Sequence, residues 1–269
     1  MSVVVSELAI HPVKSFAQQR VERWTVDDFG FAGDRRWMVV NADTGQFISA
    51  RSHPAMIRLN GFIVDGGLLL QGSQLSPGTD DLFVVTPSEI HREVTIWGDT
   101  CTAQDAGDSA AVWLSQLLND NLRLVYMPES THRQVSLKYA QPGARTGFAD
   151  GFPFLIISEA SLEQLNSKLA NPLPMSRFRA NIVVSGCEPH EEDNWQRIRI
   201  GTVEFSLVKA CTRCVITTVD PATGERGGNE PLQTLSTYRR TDKGIIFGMN
   251  ALQHSSGEIA VGMPVEIVV

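Results

Sequence analysis

The sequence predicts a mainly β chain with a few helices, an α+β fold divided into domains 1–118 and 119–269. Three observations carry this. Short apolar runs separated by turn residues crowd roughly the first hundred positions, a spacing that favours a barrel or sandwich over parallel βαβ units. Only two stretches, starting near Asp108 and Ser158, show convincing helical periodicity. The last residues, from Gly257 to Val269, return to short strands.

In chain order, Val3 to Ile10 reads as a strand closed by His11-Pro12, because the residue before proline is driven to extended geometry. Lys14-Ser15 follows it, and Val21 to Val26 forms a second strand before the glycine-punctuated loop Asp27 to Asp34. Arg36 to Asn41 and Gln46 to Ala50 flank Ala42-Asp43-Thr44-Gly45, a hairpin signal with glycine at the left-handed position. Further strands are expected over Ala55 to Phe62, Gly67 to Leu70, Leu82 to Thr86 and Glu93 to Trp97. Asp108 reads as the N-cap of a helix carrying Val112, Leu114, Leu117 and Leu118, stopped by Asn119-Asp120-Asn121. Leu122 to Tyr126 is a strand, and Pro128 to Asp150 is a long polar loop of the kind that often carries function. Phe154 to Ile157 is a buried strand, after which Ser158 caps a helix bearing Leu162, Leu165 and Leu169, with Asn171-Pro172-Leu173-Pro174 as its stop. Ile182 to Ser185, Val203 to Val208 and Val215 to Val219 complete the strands before the closing pair, with a turn at Asp220 to Gly224.

Composition narrows the function. A net charge of −7 argues against general nucleic-acid or anionic-membrane binding. Four cysteines in 269 residues are too few for a secreted disulfide framework. The N-terminus lacks a basic stretch ahead of an apolar run, and no segment approaches transmembrane length, so a reducing cytoplasm is expected.

The chemistry concentrates in Cys211-Thr212-Arg213-Cys214. Thiolate is a soft metal ligand and a nucleophile, and a neighbouring arginine favours it. A zinc site would need four ligands, and no second CxxC or HxxxH is present. Thioredoxin-type exchange needs a helix N-terminus, whereas the flanks here read as strands. A pair of buried, inert cysteines and a single thiolate on a cofactor metal both stay open. The second option needs groups for the cofactor's polar parts, and Lys14-Ser15, Asp34-Arg35-Arg36, Arg179 and Asn181 are candidates at strand ends. No P-loop, no strand-borne GxGxxG and no nucleophile elbow is found.

The run from Cys211 to Gly224, followed by Glu230-Pro231-Leu232-Gln233-Thr234-Leu235, resembles the signature of MOSC-domain proteins, relatives of the molybdenum-cofactor sulfurase C-terminal domain. His11-Pro12-Val13-Lys14-Ser15, Gly33-Asp34-Arg35-Arg36-Trp37 and Ala50-Arg51 resemble the N-terminal β-barrel domain that accompanies MOSC in one branch. Phe148-Ala149-Asp150, Ser158 to Leu162 and Phe178 to Gly186 are similar to the same branch, which holds the bacterial YcbX-type proteins and the mitochondrial amidoxime-reducing component. The resemblance implies an N-terminal β-barrel domain, a MOSC β-barrel domain and a bound molybdenum cofactor (molybdopterin with Mo). It implies Cys214 as the thiolate on molybdenum, with Cys211 a neighbour, and Asp150 near the metal as a second catalytic residue. Lys14, Ser15, Arg35, Arg179, Asn181, Thr212, Arg213 and Cys214 would form the cofactor site. The implied reaction is reduction of small N-hydroxylated compounds, with N–O cleavage by oxygen transfer to Mo(IV). The alternative is a cofactor carrier or sulfur-transfer module. Many YcbX-type relatives continue into a ferredoxin-like domain, whereas no [2Fe–2S] cluster is expected in this chain. Either that domain has been trimmed away or a separate electron-donor protein, a flavin reductase or ferredoxin-like protein, supplies the electrons.

Overall fold

The computed structural model describes residues 2–87 and 89–268. Met1, Ser88 and Val269, and with Val269 the last residue of the expected closing strand, lie outside the described residues. The chain is mainly β, with three α-helices among the described residues.

The largest sheet has nine strands among the described residues. Across it run Val265–Val268, Arg197–Ile200, Val203–Thr212, Gly244–Gln253, Phe154–Ser158, Ile182–Ser185, Val4–Ile10 and Gln19–Val21, with Arg240–Thr241 beside Gly244–Gln253. Every pairing is antiparallel except Phe154–Ser158 with Ile182–Ser185. A parallel pair needs a crossover, and the helix Glu159–Asn166 lies on it. Phe154–Ser158 is buried along its whole length, which is why it reads as an unbroken apolar run. Its Phe154 ring meets Phe31 at 5.0 Å and Phe205 at 5.1 Å, both edge to face, at the centre of the core. Thus the first strand of the chain is an interior member of a sheet built mostly from the last 120 or so residues.

A four-stranded sheet orders Trp37–Asn41, Leu122–Tyr126, Asp99–Asp105 and His91–Ile96, and a three-stranded one orders Asn60–Val64, Gly67–Gln71 and Leu82–Val85. Between them lies a second core of Val13, Phe16, Trp37, Leu59, Leu70 and Leu114. Arg23–Asp27 pairs with Gly257–Ala260 and Gly30–Phe31.

Several expectations are corrected. Val215 to Val219 is no strand: Val215–Thr218 forms a 3-10 turn in which the Thr217 and Thr218 hydroxyls donate to the carbonyls of Cys214 and Val215. Asp108 is the first helical residue of Asp108–Leu118, and the N-cap is Gly107 at φ +89°. The Asp105 carboxylate accepts from the Gly107 amide, while Asp108 pairs with Arg123. Pro54–Arg58 is a 3-10 helix where a strand from Ala55 was expected, and only Asn60–Val64 is extended. Val21 to Val26 splits at Glu22 because its two halves serve different sheets. The second helix ends at Asn166, short of Leu169, where the Asn166 amide exchanges two hydrogen bonds with the Leu173 backbone. Gln46 to Ala50 contributes isolated bridges only. The strands Asp99–Asp105, Arg197–Ile200 and Gly244–Gln253 and the helix Leu232–Tyr238 had no counterpart in the expectations.

Candidate functional site

Strand ends from both halves of the chain meet at a cleft of about 160 Å³. Lys14 and Ser15 stand just beyond Val4–Ile10, and Arg35 lies just before Trp37–Asn41. Asp150 closes the long loop ahead of Phe154–Ser158. Arg179 and Asn181 lead into Ile182–Ser185, and Thr212, Arg213 and Cys214 end Val203–Thr212. All nine positions expected from the sequence line this one cleft. The register of Val203–Thr212 slips twice against its neighbour, between Leu207 and Lys209 and between Ala210 and Thr212. Such bulges turn a strand end, and here the turned end carries the cysteines.

Cys214 Sγ accepts from Arg51 Nη2 at 3.4 Å, and the same nitrogen reaches Asp150 Oδ2 at 3.2 Å. Lys14 Nζ donates to Asp150 Oδ1 at 2.5 Å and to the Phe148 carbonyl at 2.8 Å. Cys211 is held apart from this group, its Sγ 3.1 Å from Arg213 Nη1. Arg35 Nη1 donates to Asp34 at 2.5 Å and to Asn181 Oδ1 at 2.9 Å, while Arg179 Nη1 donates to the Phe16 carbonyl at 2.6 Å.

Charge is lopsided. Lys14, Arg35, Arg51, Arg177, Arg179 and Arg213 line the cleft against one carboxylate, Asp150. Burial pulls Lys14 down to about 8, although Asp150 favours its charged form. Burial and the neighbouring Arg35 lower Arg179 from the usual arginine range. For Asp150, burial pushes the carboxyl upward, but Lys14 and Arg51 outweigh it and hold the group well below the usual carboxylate range. Its side chain is 57% exposed, so solvent screens this pairing and limits what it adds to stability. Arg51 Nη1, Arg177 Nε and Arg213 Nε are buried without a hydrogen-bond partner. Unpaired guanidinium nitrogens gathered in a cleft are the chemistry of a site built for an anion. Among the described residues no three His, Cys, Asp or Glu side chains converge. A metal here would take one protein thiolate and its remaining ligands from a bound group.

The backbone is strained where the cleft needs it. Six described non-glycine residues adopt positive φ, and Ser15 (73°), Arg35 (47°) and Arg179 (59°) are three of them. Left-handed backbone at non-glycine residues costs of order 1 kcal/mol each and persists where function requires it. Gly147 sits against this region: a Cβ there would stand 2.7 Å from the Arg35 carbonyl oxygen.

Sequence reasoning missed Arg51, Arg177, Phe152 and Asn250, which also line the cleft. Arg177 donates to Asp220 at 3.0 Å, and Asn250 donates to the Lys209 carbonyl at 3.2 Å. Ala50-Arg51 is one of the motifs that carry the resemblance, but nothing local in Ala50-Arg51-Ser52 assigns Arg51 a place in the site. Its role depends on contacts to residues 99 and 163 positions away.

Residues 2–121 match the MOSC N-terminal beta barrel domain and residues 143–266 match the MOSC domain. Mitochondrial amidoxime-reducing component 1 of Homo sapiens is 34% identical over 98% of this chain and 82% of its own length. The Danio rerio component 1 is 33% identical over 97% of this chain and 84% of its own. Mitochondrial amidoxime reducing component 2 of Rattus norvegicus is 33% identical over 97% of this chain and 82% of its own.

Proposed function

We propose, from the premise that the chain belongs to the MOSC-domain family and carries that family's N-terminal β-barrel domain, that it is a molybdenum-cofactor-dependent reductase of N-hydroxylated compounds. The observation that carries this reading is the donor set of the cleft: two thiols, Cys211 held by Arg213 and Cys214 facing Arg51 and Asp150, among six cationic side chains and a single carboxylate. A thiolate-ligated metal on a phosphate-bearing organic group asks for that combination. Relatives named for amidoxime reduction, about a third identical along nearly the whole chain, support the substrate class.

Cys214 is the metal-ligating thiolate in this reading. Lys14, Ser15, Arg35, Arg179, Asn181, Thr212 and Arg213 hold the pterin and its phosphate. When bound, the cofactor supplies a two-electron redox centre able to take up the substrate oxygen. The chain's own residues supply orientation and protons. Arg51, donating to both Cys214 Sγ and Asp150, fixes the thiolate and the carboxylate in one frame. Lys14, charged at neutral pH, can give a proton to the reacting group, and the Asp150 carboxylate 2.5 Å away holds that ammonium in place and links it to solvent. The balance is N–OH plus two electrons and two protons giving N–H and water, with the N–O bond broken. A separate donor protein supplies the electrons.

The test is turnover by the cofactor-loaded protein with reduced methyl viologen as electron source, following benzamidoxime to benzamidine. Formation of the amidine in proportion to molybdenum content supports the reading. Full molybdenum without reduction of an amidoxime, a hydroxylamine or an N-hydroxylated base would favour the carrier function instead.

A further inference from the structure

The hairpin between His91–Ile96 and Asp99–Asp105 turns through two residues, Trp97 and Gly98. Trp97 takes the first position at φ +55°, although glycine stands next to it in the sequence. A bulky aromatic is the wrong residue for left-handed backbone, which glycine adopts without strain. Nor does the indole recover that cost by full burial, since it remains 42% exposed. Two of its neighbours, Arg51 and Asp150, line the cleft. The Arg51 guanidinium lies 4.4 Å from the ring centroid, and Nε1 donates to Asp150 Oδ1 at 3.3 Å. The Phe47 ring is tilted against the indole at 4.8 Å.

Arg51 spans from the Trp97 face to Cys214 Sγ, so the indole stands about one guanidinium away from the thiol. A substrate whose N–O group is delivered beside Cys214 therefore has its carbon framework within reach of this rim. We propose that Trp97, with Phe47 behind it and Arg51 against it, is the subsite that receives the planar unsaturated part of the substrate and makes the enzyme prefer aryl over alkyl N-hydroxylated compounds. This rests on the reductase reading of the cleft. A flat π-system offers an aromatic rim offset-stacking and edge contacts that a methyl group lacks. The Asp150 carboxylate, held by Nε1, lies where the polar N-hydroxylated head enters.

The test uses Trp97→Gly, which removes the ring and relieves the turn, so the fold is retained. Binding of benzamidoxime and acetamidoxime is measured by calorimetry, and their kcat/KM with reduced methyl viologen is compared. The expected result is a loss of the aryl-to-alkyl preference of about tenfold, carried in KM and in the dissociation constant, with no fall in melting temperature. Trp97→Phe keeps a ring but drops the Nε1 hydrogen bond, and retains most of the preference. Equal losses for both substrates, or an unchanged preference in Trp97→Gly, would overturn the proposal while leaving the reductase reading intact. Trp97-dependent aryl binding without any turnover would retain the subsite and remove the reductase reading.

Discussion

Lys14 and Asp150 form a close ion pair in the cleft. Burial lowers Lys14 to about 8, so it is charged at neutral pH and loses its proton as pH rises through 8. Arg179, though lowered by burial and Arg35, keeps its guanidinium charge over this range. The positive charge of the cleft therefore falls by one unit as pH rises through about 8. Affinity of the cofactor-free protein for inorganic pyrophosphate, measured by calorimetry, is expected to drop roughly tenfold between pH 7 and about pH 9.5. Lys14→Met removes that drop, whereas a profile flat in both proteins would contradict the charge assignment. Asp150 stays ionised well below neutrality, so it is not the group that sets a neutral-pH limb. Asp150→Ala is expected to lower kcat about 100-fold with molybdenum content unchanged. Unchanged turnover at normal molybdenum content would remove the proton-relay role.

Strand ends, and not the strands themselves, carry the site, and this decided what could be read in advance. Val4–Ile10, Leu122–Tyr126 and Ile182–Ser185 have apolar runs bounded by turn residues and were legible from pattern alone. Asp99–Asp105 was not, because its alternating inward residues, Cys101 and Ala103, are too small to give a strong apolar signal; its place is set by pairing with His91–Ile96. Gly244–Gln253 resembled no single strand because Gly248 interrupts it at φ +78°, where a Cβ would meet Ile157 at 2.5 Å. The nine site positions were legible through resemblance of ordered motifs, since any one Lys or Arg alone reads as a solvated side chain. Arg51 and Trp97 stayed hidden because their meaning lies in contacts across 99, 163 and 53 residues. Gly147 tests the loop that supports Arg35. Gly147→Ala brings a Cβ to 2.7 Å from the Arg35 carbonyl, so the loop must shift. A loss of roughly 1–3 kcal/mol in chemical denaturation is expected, together with reduced molybdenum retention. Full retention and unchanged stability would show that Arg35 needs no such support.

Across the whole molecule, the acidic surface and the basic cleft separate two tasks. A net charge of −7 keeps polyanions off the surface in general, while six cations in one cleft select a compact anion. The cleft exists only when both halves of the chain are present, because Lys14, Ser15 and Arg35 come from one and Arg179 to Cys214 from the other. Val4–Ile10 also fills an interior place in the nine-stranded sheet, between Ile182–Ser185 and Gln19–Val21. A fragment of residues 119–269 would expose the Ile182–Ser185 edge and lose part of the apolar core formed by Leu8, Ile10 and Phe31. It is expected to lack a cooperative melting transition, and a sharp transition near that of the full chain would contradict the shared core. The most direct test of the central claim, that Cys214 holds a molybdenum cofactor in this cleft, is the molybdenum content of purified wild type beside Cys211→Ser and Cys214→Ser. Metal close to one per chain in wild type, kept in Cys211→Ser and lost or strongly reduced in Cys214→Ser, is the expected result. Absence of molybdenum from wild type even when the cofactor is supplied, or full retention in Cys214→Ser, would contradict it.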